Sequence, residues 1–236
     1  MRRVVVLAVV LPLIAAGPAA AASGTLTQPL ERQGYHLYGQ YCARCHSTGL
    51  GPSLDGVGAV SADFYLRMGY MPLAQLGEQP THRNTPLLSD PQIRALVAYI
   101  ASFGGPAIPQ PQPALGNLSQ GQALFTEHCA GCHQIVAQGG YVTGALPPPL
   151  DRVNATEIAE AVRIGPYVMP KFTEKAISDT ELNSIVRYVE YTQHPDHPGG
   201  AGLDFLGPVP EGLVTWFVAI PLLLVLCLFV GRRLSA

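Results

Sequence analysis

The chain has 236 residues, a formal net charge of −2, and only 13% charged side chains against 48% hydrophobic ones. A balance this close to neutral leaves no basic surface for nucleic acid. Phosphate-binding loops and hydrolase motifs are likewise absent.

Residues 1–22 read as a secretory signal peptide. Arg2 and Arg3 supply a positive start, Val4 to Ala16 an apolar run, and Pro18 to Ser23 an A-x-A cleavage site. The run is too short for a comfortable membrane span, which favours a cleaved signal over a retained anchor.

Residues 25–104 form a first small domain and residues 118–192 a second. Each carries the pentapeptide C-x-x-C-H, as Cys42-Ala43-Arg44-Cys45-His46 and Cys129-Ala130-Gly131-Cys132-His133. That spacing is the attachment site of c-type haem. Two thiols on one helical turn each form a thioether to a porphyrin vinyl group. The adjoining His is then held under the ring and binds the iron. Competing readings are weaker. A thioredoxin-type pair needs a βαβ context that is missing. In a zinc site, the His directly after the second Cys is badly placed as a fourth tetrahedral ligand. Disulfides would close loops too small to stabilise much. Cys227, the fifth cysteine, reads as a small buried hydrophobe in an apolar run.

The two domains are an internal repeat. Gly34 and Gly121 each stand eight residues before the first motif Cys, and Tyr38 and Phe125 four before it. Pro52-Ser53-Leu54-Asp55 mirrors Pro148-Pro149-Leu150-Asp151, and Ser89-Asp90 mirrors Ser178-Asp179. Capping-box spacing marks helix starts at Ser89 with Gln92, Ser119 with Gln122, Asn154 with Glu157, and Ser178 with Glu181. Ile93, Leu96, Val97, Ile100 and Phe103 recur at helical spacing, as do Leu182, Ile185, Val186 and Val189. Strand alternation is absent. The reading is all-α: three or four helices per unit, wrapped by Pro/Gly loops around a prosthetic group. Units this small need such a group to complete a core.

Residues 105–117 are a proline-rich, semi-rigid linker, and residues 193–212 a second Pro/Gly-rich one. Residues 213–230 form an apolar stretch of 18 residues, long enough to cross a bilayer. Trp216 and Phe217 sit near its start, and Arg232 and Arg233 follow it. That pattern puts the C-terminus in the cytoplasm and the haem domains outside. Pro221 falls within the span as a tolerable kink.

The second axial ligand must come from a loop. Met71 and Met169 both precede proline, which keeps them extended rather than helical. Met68 competes with Met71, which is preferred for its Met-Pro context. Bis-His ligation is the chemical rival, through His82, His194 or His197; His36 and His128 share a helix with a motif Cys. The expected iron ligands are therefore His46 with Met71, and His133 with Met169. A thioether raises the potential, and six-coordinate iron offers substrate no open position. Both consequences favour electron transfer over catalysis.

Together these features resemble the class I cytochrome c fold, over roughly 33–103 and 119–192. That resemblance implies that the first and last helices of each domain cross, bringing Gly34 and Tyr38 to Tyr99, and Gly121 and Phe125 to Tyr188. The whole arrangement resembles the dihaem cytochrome c subunit (cytochrome cc) of actinobacterial menaquinol:cytochrome c reductases, the bcc complexes. Arg67-Met68-Gly69-Tyr70-Met71-Pro72 is similar to that family's first ligand loop. The family implies partnership with cytochrome b and a Rieske iron–sulfur subunit, and delivery of electrons to an aa3-type oxidase. The chain would be an electron-transfer subunit, not catalytic alone. A tethered carrier for another periplasmic dehydrogenase or reductase is the alternative. A dihaem peroxidase or gas sensor, which needs a haem that can lose its distal ligand, is a third.

Charge agrees with a carrier held beside fixed partners. Residues 25–104 carry five basic and five acidic side chains, and residues 118–192 five and eight. Neither surface would steer a diffusing carrier strongly. The only lysines, Lys171 and Lys175, lie just after Met169.

Overall fold

A computed structural model describes residues 29–75, 77–78, 80–83, 85–196 and 212–234. The signal peptide, His197 and most of the second linker lie outside the described residues. Among them the fold is helical, and the one strand-like feature is an isolated bridge between Val142 and Ala145.

Nine helices follow in chain order among the described residues: α1 (Pro29–Tyr41), α2 (Ala43–His46), α3 (Gly58–Arg67), α4 (Asp90–Ala101), α5 (Leu118–His128), α6 (Ala130–His133), α7 (Ala155–Ile164), α8 (Asp179–Gln193) and α9 (Ile220–Leu234). They fall into two compact units. The first holds the residues up to Gln110 together with Thr156–Ala176, and the second Pro111–Ala155 with the residues from Ile177 onward. The stretch carrying α7 and Met169 belongs by sequence to the second repeat, yet it packs within the first unit.

In the first unit α1 and α3 both pack on α4. The core is built from Leu37, Leu66, Ile93, Leu96 and Ile100, with Tyr38, Cys42, Leu54 and Met71 packed against it. The crossing of α1 and α4 is set by Gly34. A Cβ there would overlap the Ala95 carbonyl and come within 2.6 Å of the Tyr99 Cβ. With no side chain in the way, the backbones close up and Tyr38 meets Tyr99, ring centroids 5.3 Å apart. The second unit repeats this with α5 and α8. A Cβ on Gly121 would overlap the Ser184 carbonyl, and Phe125 meets Tyr188 at 5.4 Å. Both crossings are those the resemblance implied.

Capping boxes start α4 at Ser89 with Gln92 and α8 at Ser178 with Glu181, as expected. α5 departs from expectation. Its cap is Asn117, whose side-chain oxygen accepts from the Gln120 N–H at 2.9 Å, so Ser119 lies inside the first turn. The linker contains a 3-10 turn at Pro113–Leu115, and its end is pinned to α8. The Gln112 N–H donates to the Asn183 amide oxygen at 2.7 Å, and Arg187 donates to the Gly116 carbonyl at 2.6 Å.

The stretch Gly212–Arg233 is helical over 22 residues, with a mean hydropathy of 2.8 and no residue of its apolar window buried. It is long and apolar enough to be a single membrane span. Pro221 has no N–H for the usual helical bond, and the backbone adapts just before it with a π turn at Thr215–Ala219. There the Ile220 N–H reaches the Thr215 carbonyl. Cys227, expected to be buried, is exposed along this helix, whose whole circumference is apolar surface.

Candidate functional site

Each C-x-x-C-H motif folds as a single tight turn. The N–H groups of Cys45 and His46 both donate to the Cys42 carbonyl, at 3.1 and 3.0 Å. In the second motif Cys132 and His133 donate to the Cys129 carbonyl at 3.1 and 2.9 Å. The backbone at Cys42 (φ −118°, ψ −41°) and at Cys129 (φ −122°, ψ −35°) is nearly the same. No disulfide ties either pair. Burial, helped by the neighbouring motif thiol, pushes Cys42 and Cys129 each up to about 11. That shift describes the chain before haem attachment, when desolvation keeps both groups in the thiol form.

The histidines are oriented from behind. His46 Nδ1 lies 2.7 Å from the Pro52 carbonyl, and His133 Nδ1 lies 3.1 Å from the Pro148 carbonyl. A carbonyl can only accept, so Nδ1 carries the hydrogen and Nε2 presents its lone pair. Such an anchor fixes the tautomer and raises the basicity of a metal-binding imidazole. Burial also holds the His133 ring below the usual histidine range, partly offset by its bond to Pro148. Neutral imidazole is the form that binds iron. Gly51 adds to the fit, because a Cβ there would stand 3.2 Å from His46 Nδ1.

Sequence reasoning missed these two carbonyl anchors. The signal was the mirrored Pro-Leu loops, whose role is invisible until the chain folds back on the motif.

Of the distal candidates, Met71 packs against the first core together with Cys42, and its N–H donates to the Tyr65 carbonyl at 3.0 Å. Met68 instead ends α3, donating to the Phe64 carbonyl at 2.9 Å and accepting from the Arg83 N–H at 3.2 Å. Met169 is half-buried in the loop after α7, its N–H bonded to the Pro166 carbonyl at 3.0 Å. His36, His82, His128 and His194 are all exposed. Leu50 beside the first motif, and Ile135 and Val136 beside the second, are large apolar side chains left facing outward. A planar macrocycle would cover such surface, so the residues present fit a haem at each motif.

Comparison with known proteins agrees. The family described as "Cytochrome C oxidase, cbb3-type, subunit III" matches this chain twice, over 29–100 and 116–189. The cytochrome bc1 complex cytochrome c subunit of Mycobacterium tuberculosis (strain ATCC 25618 / H37Rv) is 34% identical over 232 residues, covering 92% of this chain and 82% of its own. That of Corynebacterium diphtheriae is 33% identical over 231 residues, covering 87% and 82%. A cbb3-type cytochrome c oxidase subunit CcoP from Azospirillum sp. is more distant, at 27% over 187 residues, covering 66% and 60%. With two cytochrome c repeats, covalently bound haem c and an apolar C-terminal helix, this chain belongs to the family of cytochrome bc1 complex cytochrome c subunits.

Proposed function

We propose that the chain takes electrons from the Rieske centre of a quinol-oxidising bcc complex and passes them towards an aa3-type terminal oxidase. Haem c supplies one-electron chemistry; the protein supplies attachment, ligation and surroundings. His46 with Met71, and His133 with Met169, are the iron ligands in this reading. The domains run over 25–104 and 118–192, outside the cytoplasmic membrane, with Arg232 and Arg233 on its cytoplasmic side. The observation that carries the reading is the paired His–carbonyl anchor, which prepares two equivalent iron sites on one chain. A single site would serve a simple carrier, whereas two suit a relay between separate partners. The names of the relatives, subunits of a cytochrome bc1 complex, support the association with cytochrome b and a Rieske protein.

Purification in mild detergent tests this directly. Cytochrome b and the Rieske protein should co-purify with the haem-stained chain, together with oxidase. Recovery of the dihaem chain without them would replace this reading by that of a tethered carrier for another dehydrogenase or reductase.

Lys171 and Lys175 are both exposed on the segment just after Met169. Reversing both charges (Lys171→Glu with Lys175→Glu) should slow electron delivery to the oxidase at low ionic strength. The difference should shrink as salt shortens the Debye length from about 30 Å at 0.01 M to about 8 Å at 0.15 M. An unchanged rate at low salt would remove the lysines from the docking surface.

A further inference from the structure

We propose that Tyr167, which belongs by sequence to the second repeat, is a positioning residue for Met71 of the first. The proposal rests on the reading of Met71 as an iron ligand. Tyr167 lies two residues before Met169, in the segment that packs within the first unit. Its backbone is held at φ 55°, a left-handed conformation that a bulky side chain adopts only when its surroundings over-determine it.

Those surroundings are two tyrosines. The Tyr167 ring meets Tyr70 with centroids 5.1 Å apart and Tyr65 at 6.1 Å, the latter edge to face. Tyr65 and Tyr70 also meet each other, at 5.9 Å. The same two residues fix the backbone of Met71. Tyr70 precedes it in the chain, and the Tyr65 carbonyl accepts its N–H at 3.0 Å. On its other side the loop is clamped by Arg83, which donates to the Gly69 carbonyl at 2.7 Å and the Pro72 carbonyl at 3.3 Å. Glu78 holds Arg83 in turn, at 3.0 Å. Arg83 thus secures the polar side of the loop, and the Tyr167 ring closes its aromatic side. Tyr167 itself stays 55% exposed, so its ring lies over the two tyrosines rather than being buried with them.

A thioether binds iron only while its loop stays seated. Removing the Tyr167 ring uncovers Tyr65 and Tyr70, and the Met71 loop lifts more readily. The consequence crosses the repeat: a change in the second ligand loop weakens ligation at the first iron.

The test uses the full haem-loaded chain in detergent. Met71→Leu and Met169→Leu first identify which Met–iron absorption component and which potential belong to each site. Tyr167→Gly then removes the ring while relieving the left-handed backbone, so its own loop is not strained. It should raise the affinity of the first haem for added imidazole about tenfold, because both ring pairings that hold the loop down disappear. It should also lower that haem's reduction potential. Tyr167→Phe, which keeps the ring, should behave as the unaltered chain. Tyr70→Leu removes the facing ring and should reproduce the effect if Tyr167→Gly folds poorly, folding being read by far-UV circular dichroism. If Tyr167→Gly and Tyr70→Leu leave the first haem's imidazole affinity and potential unchanged, the positioning role is overturned and the ligand reading stands. If Met71→Leu leaves both Met–iron components intact, the ligand reading itself falls, and the proposal with it.

Discussion

Gly34→Ala should lower the thermal midpoint of the first unit by about 12–24 °C. A single added carbon would overlap the Ala95 carbonyl and crowd the Tyr99 Cβ, so α1 must back away from α4. Overpacking that a rigid backbone cannot absorb costs roughly 3 kcal/mol. For a unit of this size, that is a large share of total stability. The damage reaches the haem site, because α1 leads directly into Cys42 and the backbone bond from Cys42 to Tyr38, at 2.8 Å, starts the motif turn. Gly121→Ala should act alike in the second unit, through the Ser184 carbonyl. Gly39 is the control. It lies in the same helix with nothing within 4 Å of its would-be Cβ, so Gly39→Ala should stabilise by up to about 1 kcal/mol. Thermal melts followed by circular dichroism measure all three. Equal midpoints for the Gly34 and Gly39 variants would show that this helix crossing is not sterically limited.

The two crossings were legible in the sequence because their signal is local and doubled. A glycine one helical turn before an aromatic, at a fixed distance from a cysteine motif, leaves few ways to pack. The caps of α4 and α8 were legible for the same reason: Ser89 and Ser178 each stand three residues before a Gln or Glu that reaches back. At α5 two capping residues lie close together. The capture of the Gln120 N–H by Asn117 decides between them, which spacing alone does not reveal.

Contacts made across long stretches of chain were not legible. The Pro52 and Pro148 carbonyls have no side-chain identity to mark them as imidazole anchors. The clamp of Arg83 on the Met71 loop joins residues 11 and 14 apart through backbone carbonyls, which no pattern of side chains encodes. The packing of α7 within the first unit was equally hidden. α7 begins like an ordinary amphipathic helix, and nothing in its pattern says which core its buried Ile158, Ala159 and Val162 will join.

That packing also buries the carboxyl of Glu160. Glu160→Gln should stabilise the first unit by about 3 kcal/mol at pH 7, raising its midpoint by about 12–24 °C. Glu160 is 0% exposed, and neither carboxylate oxygen has a partner in good hydrogen-bonding geometry. Desolvation is the main reason its pKa rises, to about 9; the nearby carboxylates of Asp63 and Glu157 push it further, and Arg67 opposes them weakly. Arg67 is already committed, bonding Asp63 and Asp90 each at 2.7 Å. In the unfolded chain Glu160 ionises near 4.5, so between that pH and about 9 the folded state holds a proton that the unfolded state has released. Stability is therefore fully present below about 4.5 and declines by about 1.4 kcal/mol per pH unit as the pH rises towards 9. Glutamine keeps the shape without the titration, and its amide can donate to Asp63. The gain should vanish near pH 4.5, grow through pH 7, and level off above about 9. Thermal midpoints of both proteins across that range would decide it: parallel curves would mean that Glu160 is ionised in the fold, with a cation neutralising it.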